Sequence, residues 1–254
     1  MDLRIAGRTA LVLGGNRGMG LAIARALAAE GVAVTIAARD EAALAEAAVA
    51  VGPGTRTVAL DLALTGTFER FAARVGPVDI LVNNTGGPPY GGAAGRTPAD
   101  WEESFRAMSL SVIRLTDLFL PSMRAAGWGR VLTLVSTGAV QPIPVLGISN
   151  ALRAGLIAWS KSLSAEVARD GVTVNVLMPG RIGTERVHLT DQATAAREGI
   201  DVALVRERSW AQIPLGRYGE PEEVAAMAAF LCGAPAAYVT GAVMRVDGGI
   251  VRHV

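Results

Sequence analysis

One cysteine, one lysine, two histidines and 5% aromatic residues in a chain of 254 set limits before any motif is read. A lone Cys232 cannot close an internal disulfide, and no Cys/His group has metal-ligand spacing, which fits a reducing compartment and no metal. Cys232 itself reads as a small apolar residue on a late helix. Long apolar runs are also missing: none reaches the roughly 18 residues a membrane helix needs. The first residues, MDLRIAGRTALVLGG, lack the charged and apolar segments of an export signal, so a cytoplasmic protein is expected, with no membrane partner. Lys+Arg number 24 and Asp+Glu 23, a net charge of +1, and the arginines are scattered along the chain. That distribution argues against nucleic acid as a partner.

With 51% hydrophobic residues and few aromatics, the core must come mainly from Ala, Val, Leu and Ile. Such a composition suits strands covered on both faces by Ala-rich helices. β-rich apolar runs recur at residues 9–13, 32–37, 57–60, 80–82, 130–135, 173–177 and 244–246. Helical spacing lies between them, at 21–30, 41–49 and 152–169. This order predicts a single α/β domain over residues 1–254, a doubly wound parallel sheet of about seven strands with helices on both faces. Gly31 stands where the first helix would end, and Asp40 where an N-cap would open the second. Residues 186–212 are polar and irregularly helical, and are expected to form an inserted lid over a small-molecule substrate.

The run Gly14-Gly15-Asn16-Arg17-Gly18-Met19-Gly20 closes the first strand and opens the first helix. Glycines there let backbone approach a pyrophosphate, whose charge then sits on the helix N-terminus. The strand–turn–helix setting separates this fingerprint from a mere tight turn. Further along stand Asp61-Leu62, Asn83-Asn84-Thr85-Gly86, Pro179-Gly180 with Ile182 and Thr184 behind it, Leu215-Gly216-Arg217-Tyr218-Gly219-Glu220-Pro221, and Val246-Asp247-Gly248-Gly249.

In type and order these motifs resemble the short-chain dehydrogenase/reductase family over the whole chain. The resemblance implies a Rossmann fold holding a nicotinamide dinucleotide. It assigns cofactor contacts to Gly14, Asn16, Arg17, Gly18, Met19, Gly20, Arg39, Asp61, Leu62, Asn84, Gly86, Arg153, Pro179, Gly180, Ile182 and Thr184. Leu13 stands where the family usually has a Thr. The second strand closes on Ala37-Ala38-Arg39 instead of on an acid that would hold ribose hydroxyls. Two guanidinium groups, Arg17 and Arg39, would favour the 2′-phosphate of NADP(H) over NAD(H). The bland alternative is that both are solvated surface arginines.

Family members carry a catalytic Asn, Ser, Tyr and Lys. Carried over residue by residue, these positions hold Met108, Ser136, Ser149 and Arg153, with Met108 at the least secure register. No Tyr lies between Tyr90 and Tyr218 and Lys161 is the only lysine, so a slipped alignment cannot restore the pair. An aliphatic hydroxyl is a far poorer acid than a phenol, and Arg stays protonated where Lys can titrate. Ser149 can still hydrogen-bond a substrate oxygen, and Arg153 can act as a fixed cation. Tyr90 in the 86–92 loop and His188 in the lid are alternative acids, His253 reads as surface, and the four tryptophans read as packing or interface residues.

Three functions fit these residues. The first is an NADP-dependent oxidoreductase close to the β-ketoacyl-acyl carrier protein reductases, with an altered proton path and a carbonyl or alcohol substrate. The second is a dinucleotide-binding module with little or no redox activity. The third, a non-redox enzyme like the halohydrin dehalogenases, fits least, because those lack the glycine pattern. The resemblance also implies a homo-oligomer, tetramer or dimer, paired through helices over 101–123 and 149–169, with Leu115, Phe119, Leu156 and Trp159 as contact candidates.

Overall fold

A computed structural model describes residues 1–253. Seven strands form it: β1 (Thr9–Leu13), β2 (Ala33–Ala38), β3 (Arg56–Ala59), β4 (Ile80–Asn83), β5 (Gly129–Leu134), β6 (Val172–Pro179) and β7 (Val243–Val246). All pair in parallel in one sheet of order β3-β2-β1-β4-β5-β6-β7. The order reverses between β1 and β4, so a crevice opens at their carboxyl ends, where open α/β sheets bind ligands.

The helices are α1 (Gly18–Ala29), α2 (Glu41–Val51), α3 (Phe68–Val75), α4 (Pro98–Phe105), α5 (Ser111–Ala125), α6 (Gly147–Val167), α7 (Glu185–Glu198), α8 (Val202–Trp210) and α9 (Pro221–Cys232). Successive residues of β1 point to opposite faces of the sheet. Ala10 and Val12 pack with Ile23 and Leu27 of α1 and Ala228 of α9. Leu11 and Leu13 pack with Phe68 of α3, Leu115 of α5 and Leu163 of α6. Burying a Leu or Ile fully stabilises by about 1.5–3 kcal/mol, so a strand buried on both faces is held twice. That is why the strands are legible as continuous apolar runs.

Punctuation works as expected in two places. The Asp40 carboxylate accepts from the Ala43 amide at 3.0 Å and caps α2, and Gly31 adopts φ 79° just beyond the C-cap of α1. Boundaries move elsewhere. Helix α1 starts at Gly18, inside the glycine turn instead of after it, and α6 starts at Gly147 instead of 152. The second shift places Ser149 and Arg153 on consecutive turns of one helix.

Between α4 and α5 the chain makes a π turn over Arg106–Leu110, where the Ser111 amide donates to the Arg106 carbonyl. The buried Ser111 hydroxyl donates to the Ala107 carbonyl at 2.7 Å, which gives a partner to an oxygen at the interrupted ladder.

The expected contact between copies needs correction. Leu115, Phe119 and Leu156 are at most 2% exposed and serve this chain's own core, so they are not available to a second copy. Trp159 packs half-buried beside them. Trp128 lies between the guanidinium groups of Arg8 and Arg130, 4.0 and 4.3 Å from its ring centroid. Cys232 is fully buried in α9, and burial pushes its thiol up to about 12, so it stays protonated and unreactive. No helix is long and apolar enough to cross a membrane, and no acidic, His or Cys cluster could hold a metal, among the described residues.

Candidate active site

The crevice begins at the end of β1. Gly14 sits at φ 61°, where an added Cβ would lie 2.7 Å from the Asn84 amide nitrogen. At Gly20 a Cβ would lie 2.1 Å from the Gly14 carbonyl oxygen, so only glycine lets the turn fold back on α1. The Asn84 side chain donates to that same carbonyl at 3.3 Å and ties the turn to the segment after β4. Arg17, the N-cap residue, makes no capping side-chain bond, and the first turn of α1 holds no acid. The amides there remain open to an anion.

Asn84 and Thr184 contact this turn, and the other expected cofactor residues lie on segments that follow the strands. Asn16 and Met19 are half-buried beside Gly18, and the Thr184 methyl closes on Gly18, 3.3 Å from where a Cβ would be. Asp61, after β3, accepts from the Ala63 amide at 2.9 Å, and Leu62 packs half-buried against the core. Pro179 ends β6. Gly180 donates to the Val246 carbonyl at 2.9 Å, and Ile182 is buried in a bridge with Gly219. Arg39 is exposed at the end of β2. Arg17 reaches Glu185 at 3.5 Å across two largely exposed side chains, a pair worth little in water.

A second group forms at the ends of β4 and β5. The Arg153 guanidinium donates through Nη1 to the Leu134 carbonyl at 2.9 Å, and through Nη2 to the Gly86 and Thr85 carbonyls at 3.2 and 3.4 Å. It is 8% exposed. Burial, aided by repulsion from Arg186, brings its pKa down to about 10, so it remains a cation at neutral pH. Ser149 lies one turn earlier on the same face of α6 and is also buried. Ser136 follows β5; its hydroxyl accepts from the Gly138 amide at 3.2 Å and so faces its own turn. Met108 is buried in the π turn. Arg153 therefore ties α6 to the backbone after β4 and at the end of β5.

The alternative acids are placed differently. The Tyr90 hydroxyl shares a 2.7 Å hydrogen bond with Thr190 of α7, which joins the 86–92 loop to residues 186–212. His188 and His253 are exposed. Those residues 186–212 form most of α7 and all of α8, held by a group that sequence reading missed. Asp191 is fully buried, pairs with Arg181 and accepts from the Tyr218 hydroxyl at 2.9 Å. Arg186 was also missed: its guanidinium lies against Gly87, where a Cβ would come within 2.6 Å of Nη2. Two adjacent glycines, Gly86-Gly87, were the available signal.

Comparison with known proteins agrees with this fold. A family model described as Enoyl-(Acyl carrier protein) reductase matches residues 14–251. The 3-oxoacyl-[acyl-carrier-protein] reductase FabG of Escherichia coli is 36% identical over 249 residues, covering 96% of this chain and 97% of its own. Acetoacetyl-CoA reductase of Rhizobium meliloti is 36% identical over 245 residues, covering 95% and 98%. The structure of L-sorbose reductase from Gluconobacter frateurii, complexed with NADPH and L-sorbose, superposes with a TM-score of 0.94 at 32% identity and covers 100% of both chains. Matched almost end to end, the chain belongs to the short-chain dehydrogenase/reductase family, close to its ketoacyl reductases.

Proposed function

We propose that this protein is an NADP(H)-dependent reductase of small carbonyl compounds whose proton path departs from the family's usual one. The observation behind it is that the open N-terminus of α1 and the Ser149–Arg153 pair lie along one carboxyl edge of the sheet. The glycine turn fits the group: it is a cradle that a Cβ at Gly14 or Gly20 would fill. When bound there, a reduced nicotinamide supplies a hydride to the carbonyl carbon. The chain then has to orient the carbonyl oxygen and see it protonated. Ser149 donates a hydrogen bond to that oxygen, while Arg153, fixed by three backbone carbonyls, stabilises the developing negative charge. A serine hydroxyl is too weak an acid to give up its proton near neutrality, so water supplies it. Residues 186–212 serve as the lid.

Arg17 and Arg39 select NADP(H). Replacing both by Ala should weaken NADPH binding about ten-fold or more and NADH binding much less, since a charge-assisted bond to a phosphate is worth about 1.5–3 kcal/mol. Fluorescence titration with both cofactors reads this. Equal losses for NADPH and NADH would remove the case for phosphate recognition. The burial of Ser149, 6% exposed, favours a second reading, a dinucleotide-binding module with little turnover. Tight NADPH binding without oxidation over a broad carbonyl panel would select it.

A further inference from the structure

Two arginines flank the same short stretch of backbone. Arg153 donates to the Gly86 carbonyl from the α6 side at 3.2 Å. Arg186, on the first turn of α7, lays its guanidinium on Gly87, the next residue, where a side chain would collide with Nη2 and Nη1 at 2.6 and 3.0 Å. Neither pairs with a carboxylate among the described residues. Glu185, the acid next to Arg186, is turned to Arg17 at 3.5 Å. The two cations repel, and Arg186 contributes to the lowered pKa of Arg153.

Arg186 is exposed and hydrated while Arg153 is almost fully desolvated, and an anion placed against both would relieve their mutual repulsion. Arg153 spends its carbonyl bonds on three backbone oxygens, but a guanidinium has five N–H donors. Arg186 has its planar fork free, a shape that matches a carboxylate. Ser149, which the proposed reaction sets against the carbonyl oxygen, lies one helical turn from Arg153, about 6 Å along the axis. The anion must then sit within a few ångströms of the carbonyl.

We propose that Arg186, together with Arg153, recognises a carboxylate on the substrate, which makes the substrate a short oxo acid with its carboxylate one or two carbons from the ketone. This assignment rests on the reductase reading of the same site. It makes Arg186 the residue that determines specificity and gives the lid a reason to close: the substrate bridges α7 to the floor of the site.

The test is calorimetric titration of the protein, with and without NADP+, using 2-oxobutyrate, acetoacetate and their methyl esters. Both acids should bind about ten-fold or more tightly than their esters, as a desolvated charged bond requires. Arg186→Gln should remove that preference and leave ester binding within about two-fold. Arg197→Gln, a solvent-facing arginine of the same helix, should leave the preference intact. Esters binding as tightly as acids, no binding of either acid, or equal losses in the two variants would overturn the proposal. NADPH titration of the same samples separates the two ideas. NADPH binding without an acid preference overturns only the carboxylate site, and an acid preference without NADPH binding overturns only the reductase.

Discussion

With Ser149→Tyr and Arg153→Lys introduced together, carbonyl reduction is expected to rise by about 100-fold over the unaltered chain, the lower end of what a positioned general acid contributes. The phenol supplies a titratable hydroxyl and the ammonium a compact cation that lowers its pKa. Each substitution alone should gain less, because a Tyr beside Arg153 faces a cation already held by backbone and a Lys beside Ser149 has no phenol to tune. The structure adds a cost. A shorter ammonium cannot serve the Leu134, Thr85 and Gly86 carbonyls as the guanidinium does, and leaving one unsatisfied costs about 1–3 kcal/mol. NADPH oxidation with ketones and oxo acids, measured beside a urea midpoint for the wild type, both singles and the pair, separates the two effects. Brisk wild-type turnover that persists in Ser149→Ala, with no gain in a folded, cofactor-binding double variant, would move the acid to Tyr90, His188 or a water placed by another group.

The largest loss of stability is expected at Asp191. Its carboxylate is fully buried between Arg181 and the Tyr218 hydroxyl, and Trp210 meets the Tyr218 ring edge-on at 5.9 Å. Asp191→Ala removes the carboxylate partner of Arg181, whose side chain is 34% exposed, and one partner of the Tyr218 hydroxyl, a loss of about 1–3 kcal/mol. Because this group ties α7 to the segments on either side of it, the loss should show first as faster hydrogen exchange over 185–210, before the rest of the sheet opens. Protection unchanged there would mean that α7 and α8 are held elsewhere. Burial, foremost, raises the Tyr218 pKa above its ordinary 10. The folded state then keeps a proton that the unfolded chain gives up, so this contribution is complete below pH 10 and is lost as pH rises through the folded value. Tyr218→Phe should flatten the fall in stability above pH 10.

The sheet was readable because its central strands are mostly runs of β-branched and aliphatic residues, a pattern that buried parallel strands require, whereas the edge strands β3 and β7 carry Arg56 and Arg245 and are largely exposed. The glycine turn was readable for the opposite reason: Gly14 and Gly20 stand where backbone meets backbone, and no other residue fits. Helix starts were less so. Gly18 and Gly20 are poor helix formers that tertiary contact forces into α1, and Gly147, Ile148, Ser149 and Asn150 open α6 with low intrinsic propensity. What holds the candidate site together was hidden almost entirely. Arg153 meets carbonyls 67 and 68 residues away, and Asp191 is a single buried acid inside a segment that reads as polar surface. Partners that distant in sequence leave no local period to detect.

The π turn at Arg106–Leu110 has a consequence for how this region can vary. Such a turn holds one residue more than the α turn it replaces, so the faces of α4 and α5 are out of phase by about 100°. Ser104 before it and Val112, Leu115 and Phe119 after it are buried in this shifted register. Losing a single residue anywhere in the turn would straighten the rod and rotate α4 about its axis, carrying its inward face toward solvent and bringing Glu102 or Glu103 inward. A point substitution there changes one side chain, whereas a one-residue deletion re-addresses a whole helix. The length of this segment is therefore constrained more tightly than its composition.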